Sequence, residues 1–379
     1  MVNLIKLHEA LADSHIVKKI KQSKFPAGIT FDLTARCNNN CRHCYINLPQ
    51  NDTEAKSVEL DIDEIERIAD RAVSNGVLWC LLSGGEPLLR PDFSDIYVML
   101  KKKGLLVSVF TNACLIDETH VKLFKKYKPR ELEVTVYGVT EKTYERVTGV
   151  KGSFWQFKKG LNLLLENDVP VSLKAMAIRS NVHEIEDIAA FCSRYSRRKF
   201  RFDPFLHKRY DFDETRNRMI ESERLTKDEI VRVEHNNLER KQALVDNCET
   251  LVFDEKVEGG GRVFTCGILK NGYEVSYDGK LRLCASLFHP DFVRDLRKMP
   301  LMDAYHEIAE NIVNARSDRP EFLHKCNQCR LINLCYFCPA NSYLETGRLD
   351  TPVDNFCENA HARKEAIFKW KDQAEDNVN

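Results

Sequence analysis

The chain has 379 residues, enough for about two or three domains with ordinary apolar cores. Hydrophobic residues make up 43% of it and charged residues 30%, which is typical of a soluble globular protein. Lysine plus arginine equals aspartate plus glutamate, at 57 each. This balance excludes a general attraction for nucleic acid or for an anionic membrane, so neither is expected as a partner.

The N-terminal segment shows no signal-peptide pattern, because lysine, histidine and aspartate interrupt every short apolar run of residues 1–26. No run in the chain approaches the roughly 18 apolar residues that cross a bilayer. A cytoplasmic location is therefore expected. Since the cytosol keeps thiols reduced, the 14 cysteines are better explained as metal ligands than as disulfides.

The first two-thirds of the chain alternate short apolar runs with amphipathic stretches, which predicts six βα units. The expected strands are Gly28–Leu33, Val77–Leu82, Leu105–Thr111, Glu131–Tyr137, Val169–Ala177 and Lys199–Asp203. The expected helices are Asp61–Ser74, Ser94–Lys103, Asp117–Lys126, Phe154–Glu166 and Val182–Cys192. Three of these helices have expected N-caps, at Asp61, Ser94 and Asp117. Right-handed crossovers would wind the units into a partial TIM-like (β/α)6 barrel, and the competing α/β fold is a doubly wound sheet.

The alternation stops near Arg209, and charge and cysteine content divide the rest of the chain. Residues 210–245 are highly charged and predict a helical connector, with helical stretches around Glu221–Arg224 and Asp228–Arg240. The last third of the chain contains seven cysteines, which predicts a small domain held by metal rather than by a large apolar core. The expected division is an N-terminal helical extension 1–26, a barrel 27–209, a connector 210–245, a cysteine-rich domain 246–365 and a tail 366–379.

Three cysteines follow the first expected strand directly. Cys37, Cys41 and Cys44 are separated by three and then two residues. In parallel barrels, active sites lie at this carboxyl end of the strands. Three thiolates can bind three corners of a cubane iron–sulfur cluster, which leaves one iron without a cysteine. A three-cysteine zinc or redox loop is the alternative.

A second motif, Ser83-Gly84-Gly85-Glu86-Pro87, follows the second expected strand. Glycines here allow the backbone to approach a ligand closely, and Glu86 can accept a hydrogen bond from an ammonium group. With the cysteine spacing, the motif resembles the radical S-adenosylmethionine (SAM) superfamily. There, CxxxCxxC cysteines hold a 4Fe-4S cluster whose open iron binds SAM, and a GGEP motif holds the methionine amino group. The resemblance implies a catalytic cluster on Cys37, Cys41 and Cys44, and SAM-binding roles for Gly84, Gly85, Glu86 and Pro87.

Weaker matches to the same family follow in chain order. Asn112 ends the third expected strand, Thr135 lies near the end of the fourth, and Arg146 comes shortly after it. The resemblance implies that these three residues contact SAM. Tyr137 stands where many relatives have an aspartate near the SAM ribose, so it departs from the family pattern.

The seven C-terminal cysteines form the next pattern. Taken as pairs, Cys326/Cys329 and Cys335/Cys338 could hold zinc, but seven cysteines exceed the need of one tetrahedral ion. Their spacing resembles the SPASM domain of radical SAM enzymes, which binds two auxiliary 4Fe-4S clusters, although the last pair is one residue closer than usual. The resemblance implies an outer cluster on Cys326, Cys329, Cys335 and Cys357. It implies an inner cluster on Cys266, Cys284 and Cys338, and thus three clusters in all.

Four cysteines remain outside these sets. Cys80 and Cys192 fall within an expected strand and helix and are predicted to be core residues. Cys114 is expected in the core or at the edge of the active site. Cys248 has no assigned role: it could complete the inner cluster, which otherwise keeps an open iron.

The resemblance implies an enzyme that cleaves SAM reductively to a 5′-deoxyadenosyl radical and oxidatively modifies a peptide or protein, forming a thioether, a carbon–carbon bond or a similar linkage. The alternatives are a small-molecule oxidoreductase of the tetrapyrrole or aminoglycoside type, and a non-catalytic redox sensor. Ala285 counts against sulfatase maturation, where an aspartate typically follows the cysteine matching Cys284. Only 36 residues precede Cys37. Either a separate recognition protein presents the peptide, or the enzyme binds it directly. A flavodoxin- or ferredoxin-type electron donor is also implied.

Overall fold

The computed structural model describes residues 26–196, 198–253, 260–335 and 337–376. Almost all of the expected N-terminal extension 1–26, and the last three residues of the expected tail, lie outside these ranges. Within the described ranges, no helix is both long and apolar enough to cross a membrane.

The six predicted strands are confirmed, and each pairs in parallel with the next one in the chain. They are β1 Gly28–Thr34, β2 Trp79–Gly84, β3 Leu106–Thr111, β4 Glu131–Thr135, β5 Ser172–Met176 and β6 Arg201–Asp203. A doubly wound sheet would reverse its strand order at a switch point. The order β1 to β6 has no such reversal, so the fold is the partial (β/α)6 barrel.

The same sheet continues into the C-terminal region. Three strands there were not predicted: β7 Tyr273–Val275, β8 Lys280–Arg282 and β9 Arg294–Asp295. Strand β7 pairs in parallel with β1, and β8 and β9 follow as antiparallel neighbours. At two to three residues each, these strands are too short for a periodic signal in the sequence. They make the barrel sheet nine-stranded.

Helices cover the sheet and build the C-terminal region. The α-helices are Thr53–Ser57, Ile62–Ser74, Phe93–Lys102, Glu118–Lys126, Glu141–Thr148, Ser153–Glu166, Ile185–Tyr195, Glu214–Glu223, Lys227–Asn236, Leu238–Asp246, Cys248–Leu251, Ile268–Asn271, Leu301–Asn314, Pro320–Lys325, Pro339–Thr346 and Asp354–Asp376. Asp61 and Asp117 are confirmed as N-caps, each within a capping box. The predicted cap Ser94 is wrong, because Phe93 is buried against the core and the helix already begins there, after Asp92.

One apolar core joins the barrel to part of the C-terminal region. Ile268, Val275, Leu281 and Ile308 belong to the same buried cluster as the barrel strands. Helix Leu301–Asn314 also packs against the barrel helix Ile62–Ser74. The expectation that metal rather than an apolar core holds this region is therefore wrong for the part from β7 to that helix.

The C-terminal helix crosses the expected boundary between domain and tail. Helix Asp354–Asp376 runs without a break through residue 365, and Ile367 and Trp370 on it are buried. It packs on the connector helices Lys227–Asn236 and Leu238–Asp246. The buried Arg363 donates from Nε to Oε2 of Glu234 at 2.9 Å. The connector and the described part of the tail are thus one packed layer, and the boundary placed at residue 365 falls inside a helix.

The shared core predicts that a mutation in the C-terminal region destabilises the barrel as well. Ile308→Ala removes a fully buried side chain, so we expect a loss of about 2–5 kcal/mol in unfolding free energy. Denaturant unfolding followed by circular dichroism should remain a single transition at a lower midpoint. Val313→Ala is the control, since Val313 lies exposed on the same helix and should cost no more than about 0.5 kcal/mol. Two separate transitions in the Ile308 variant would contradict a shared core.

Candidate active site

A cavity of about 450 Å3 lies at the carboxyl ends of the barrel strands. Thr111, Thr135, Met176 and Asp203, each the last residue of its strand, contribute to its wall. Cys37, Cys41 and Cys44 line it too. The three predicted cluster cysteines therefore meet at one cavity, at the end of the barrel where parallel-barrel enzymes place their chemistry.

Backbone hydrogen bonds hold the cysteine loop in place. The N–H of Asn40 donates to the carbonyl of Thr148 at 2.8 Å, and the N–H of Arg42 donates to that of Val147 at 3.1 Å. Nη1 of Arg216 donates to Oδ1 of Asn40 at 2.7 Å. Helix Glu141–Thr148, which the sequence analysis did not predict, thus acts as the support of this loop.

The electrostatics of the loop suit a metal-bound state better than free thiolates. Burial raises the pKa of the Cys37 and Cys41 thiols well above their usual value, and the neighbouring thiols raise it further. A bound metal must displace these protons. The described residues contain no group of three or more His, Cys, Asp or Glu placed to hold a single metal ion. In a cubane, by contrast, each cysteine binds a different iron, which is the arrangement that three separated cysteines fit.

Gly84 and Gly85 pack directly against the backbone of the segment after β1. A Cβ on Gly85 would lie 2.2 Å from the carbonyl oxygen of Arg36, and one on Gly84 would lie 2.3 Å from that of Thr34. Gly85 also donates its N–H to the Thr34 carbonyl at 2.7 Å. Both glycines line the cavity. The sequence predicted that these glycines allow a close approach to a ligand. In this structure they instead allow a close approach to the backbone of the segment that leads from β1 to the cysteines.

Glu86 lies fully buried beneath the end of β3. Its Oε1 accepts from the Thr111 hydroxyl at 2.8 Å and from the Leu88 N–H at 3.2 Å, and its Oε2 accepts from the Asn112 N–H at 2.8 Å. Burial raises the pKa of Glu86 to about 7, although these three hydrogen bonds oppose the shift. No cation is within salt-bridge distance of this carboxylate in the described part of the chain. The next residue, Pro87, is buried at the start of a short 3-10 turn.

The remaining predicted SAM contacts fall in two places. Asn112 and Thr135 line the cavity, and Nδ2 of Asn112 lies 3.7 Å from the Cys37 sulfur. Tyr137 also lines it, with its ring centroid 5.4 Å from that of His43. Arg146 lies instead on the exposed face of helix Glu141–Thr148, outside the cavity lining. The placement gives no support to a SAM contact by Arg146, because the buried face of this helix is turned to the barrel.

The C-terminal cysteines gather in two groups. Partial burial raises the pKa of the Cys338 thiol to about 12, and the neighbouring thiols of Cys284 and Cys266 contribute to the rise, so these three cysteines lie close together. The other four also interact: Cys335 shares a hydrogen bond with Cys357, and Cys357 is in turn a neighbour of Cys326 and Cys329. The two groups contain the same members as the inner and outer sets expected from the sequence.

The inner group borders the cavity. Ala285 and Ser286, directly after Cys284, line the same 450 Å3 cavity as the cysteine loop. A second cavity of about 370 Å3 is lined by Cys266 and Cys284 and shares Glu274 and Ala285 with the first. The main cavity therefore lies between the barrel cysteines and the inner group.

The four other cysteines can now be placed. Cys80 and Cys192 are buried in the barrel core, as predicted. Cys114 lies at the edge of the site, where its sulfur donates to the Ser153 carbonyl at 3.6 Å. Cys248 packs in an apolar cluster with Leu331, beside Cys329 and Cys335 of the outer group. Its position gives no support to the expectation that it completes the inner cluster.

Comparison with known proteins identifies the domain. The family model described as the radical SAM superfamily matches residues 32–192. Residues 32–192 therefore form a radical SAM domain. Among curated relatives, it is 27% identical to the antilisterial bacteriocin subtilosin biosynthesis protein AlbA of Bacillus subtilis (strain 168), over 86% of this chain and 70% of that protein. It is 26% identical to the AdoMet-dependent heme synthase of Methanosarcina barkeri (strain Fusaro / DSM 804), over 86% and 95%.

Solved structures share the fold of this radical SAM enzyme. Streptococcus suis SuiB bound to the precursor peptide SuiA superposes with a TM-score of 0.67 at 17% identity, covering 94% of this chain and 82% of SuiB. The alignment extends well beyond residues 32–192, so the shared fold includes the C-terminal region as well as the barrel.

Proposed function

We propose that this radical SAM enzyme oxidatively modifies a peptide or protein substrate held in the cavity between the barrel cysteines and the inner cysteine group. The observation that carries the proposal is this position of the cavity. A 4Fe-4S cluster and SAM, when bound, would supply the radical chemistry, and an auxiliary cluster held by the inner cysteine group would supply an electron acceptor. The relative AlbA, named as a bacteriocin biosynthesis protein, and the structural neighbour SuiB, solved with a bound precursor peptide, support a peptide as the substrate.

Residues of three barrel loops would bind the cluster and SAM. Cys37, Cys41 and Cys44, which line the cavity, would hold the barrel cluster. Glu86 would accept a hydrogen bond from the amino group of SAM, and it already orients Asn112, which lines the cavity. Gly84 and Gly85 bring that motif against the loop, and Thr135 supplies part of the wall.

We propose that each of the two cysteine groups holds one auxiliary cluster. The inner cluster would take Cys266, Cys284 and Cys338, and the outer cluster the remaining four C-terminal cysteines. A flavodoxin- or ferredoxin-type donor, a cytoplasmic location and a separate recognition protein that presents the peptide remain predictions of the family resemblance.

A second candidate function is a tetrapyrrole-modifying oxidoreductase. The AdoMet-dependent heme synthase favours it, since this chain covers 95% of the length of that relative. The lining of the cavity contains both acidic and basic groups, Asp32 and Lys174 among them, and so does not select one substrate class.

The peptide hypothesis can be tested with the wild-type enzyme reconstituted anaerobically with iron and sulfide. We expect 5′-deoxyadenosine formation with SAM and a reductant to rise when a short peptide encoded beside the gene is added, and the peptide to lose two hydrogens by mass spectrometry. The triple variant with Cys37, Cys41 and Cys44 changed to Ala should form no 5′-deoxyadenosine, because the cluster on that loop is lost. Stimulation by a tetrapyrrole and not by any such peptide would favour the second candidate.

The raised pKa of Glu86 predicts that SAM affinity depends on pH. A carboxylate must lose its proton before it accepts the amino hydrogen bond, so binding weakens as the pH falls below about 7. Between about pH 8 and pH 6 we expect the wild type to lose about tenfold more SAM affinity than Glu86→Gln loses. The Glu86→Gln variant is the control, because any titration of SAM itself affects both proteins equally. Equilibrium binding of SAM to the reconstituted proteins measures both. Equal pH dependence in the two proteins would remove Glu86 from the SAM site.

The two C-terminal groups predict about eight irons, and with the barrel cluster about twelve irons per chain, from three 4Fe-4S clusters. Cys248→Ala should leave the iron and sulfide content unchanged, because Cys248 packs in an apolar cluster. Cys335→Ala should lower the iron content by about four, as one cluster is lost. Stoichiometric zinc with only about four irons in the wild type would support a zinc-binding tail instead.

A further inference from the structure

A buried group of charges lies where the C-terminal strands join the barrel. Asp32 is on β1, Glu274 on β7 and Arg282 on β8. Strand pairing brings them together, because β7 lies beside β1 and Glu274 is the registered partner of Arg282. All three side chains are at least nine-tenths buried. None of them belongs to the motifs that suggested the family.

The charges in this group do not balance. Arg282 donates to Glu274, and its Nη2 is 3.5 Å from Oδ2 of Asp32. The ring of Phe288 covers the guanidinium at 4.0 Å and separates it from solvent on that side. Oδ2 of Asp32 has no hydrogen-bond partner among the described residues. One arginine thus serves two carboxylates, and the carboxylate of Asp32 is the one left incompletely satisfied.

Asp32 forms part of the wall of the substrate cavity. Asp32 and Glu274 both line it, together with the cysteine loop and with Ala285, the residue after Cys284. Asp203 also lines this cavity but lies exposed at the end of its strand. Asp32 is therefore a buried acid–base group positioned where a substrate between the two cysteine groups would contact it.

The neighbours of Asp32 adjust its proton affinity. Burial raises the pKa of Asp32 well above its usual value, and the negative charge of Glu274 raises it further, while Arg282 opposes them. Tyr45, from the segment after the cysteine loop, is a further titratable group close to Asp32. General bases work best when their pKa is near the operating pH, and an aspartate reaches that range only in such surroundings.

We propose that Asp32 is the general base of this cavity, and that Glu274 and Arg282 position and tune it. The assignment rests on the proposed oxidative function. It names the class of substrate group as well: an O–H, N–H or S–H group next to the carbon that loses a hydrogen atom.

The step balances in atoms and electrons. The substrate carbon gives one hydrogen atom to the SAM-derived radical, which becomes 5′-deoxyadenosine. The adjacent O–H, N–H or S–H group gives its proton to the Asp32 carboxylate. The one remaining electron passes to a one-electron acceptor of the iron–sulfur class in its oxidised state. The substrate has then lost two hydrogens and gained a bond between the carbon and the heteroatom.

A purely structural role explains the site less well. Glu274 alone neutralises Arg282, so the second carboxylate is not needed to pair the buried guanidinium. Burying a second carboxylate that must share one arginine costs stability, and such costs are concentrated at functional sites. An asparagine at position 32 would fill the same volume without that cost.

The test compares Asp32→Asn with the wild type in the peptide reaction. We expect SAM-dependent 5′-deoxyadenosine to continue to form, while the rate of product formation falls by at least about a hundredfold, the usual contribution of a general base. The ratio of product to 5′-deoxyadenosine is the deciding quantity, since a structural defect would lower both. Asp295→Asn is the matched control: it removes an ion-paired carboxylate from strand β9 of the same sheet, outside the cavity, and should leave the ratio unchanged.

Two further measurements keep the proposal testable if Asp32→Asn folds poorly. Glu274→Gln removes the negative charge that raises the pKa of Asp32, so the acid limb of the product-rate profile should move to lower pH. Infrared spectra of the wild type, followed as the pH is lowered, should show the carbonyl band of a carboxylic acid that forms above the usual pKa of an aspartate. Asp295→Asn should retain this band and Asp32→Asn should lack it. An unmoved acid limb in Glu274→Gln would overturn the tuning role.

The outcomes separate the two proposals. No substrate-dependent 5′-deoxyadenosine from the wild type with any tested peptide overturns the peptide function. Wild-type turnover with an unchanged product ratio in Asp32→Asn overturns only the general base.

Discussion

The hydrogen bonding of β7 to β1 is the contact on which the rest of the structure depends. Residues Ile29 to Phe31 pair in parallel with Tyr273 to Val275. The strand that leads to the barrel cysteines is therefore the strand that carries the C-terminal region. Because Cys266 precedes β7 and Cys284 follows β8, this pairing fixes the inner cysteine group on the barrel. The substrate cavity between the two groups is a direct result.

The same contact concentrates buried charge. A parallel barrel normally fills its strands with apolar side chains, and Phe31 and Leu33 follow that rule. Asp32 lies between them and points to Glu274 and Arg282 of the added strands. Such a cluster is costly in a medium of low dielectric constant unless its charges are paired. Here the pairing is incomplete on the side of the cavity, which is the physical basis of the general-base proposal.

Rigid backbone contacts prepare the cysteine loop. The glycines after β2 pack directly on the carbonyl groups after β1, and helix Glu141–Thr148 accepts two backbone hydrogen bonds from the loop. Glu86 connects this arrangement to the end of β3. Preorganised ligands of this kind spare the cost of ordering the loop when a cluster binds.

The sequence by itself determined the family, the six barrel strands and the positions of the cluster motifs. Those features are local, because each depends on only a few neighbouring residues. They include the strand patterns, the glycines before Glu86, and the spacing of Cys37, Cys41 and Cys44. Two of the three predicted N-caps were correct for the same reason. The prediction of Ser94 was wrong, because Phe93 is buried and its helix begins one residue earlier.

Only the tertiary structure decided how distant segments meet. The short strands β7 to β9 leave no periodic signal, and the neighbours of Arg146 and Cys248 depend on which face of a helix is buried. The meeting of Asp32 with Glu274, 242 positions later in the chain, is likewise invisible in the sequence, since each is an ordinary acidic residue beside its own neighbours. Long-range pairing creates the environment that changes their chemistry, and that environment exists only once β7 lies against β1.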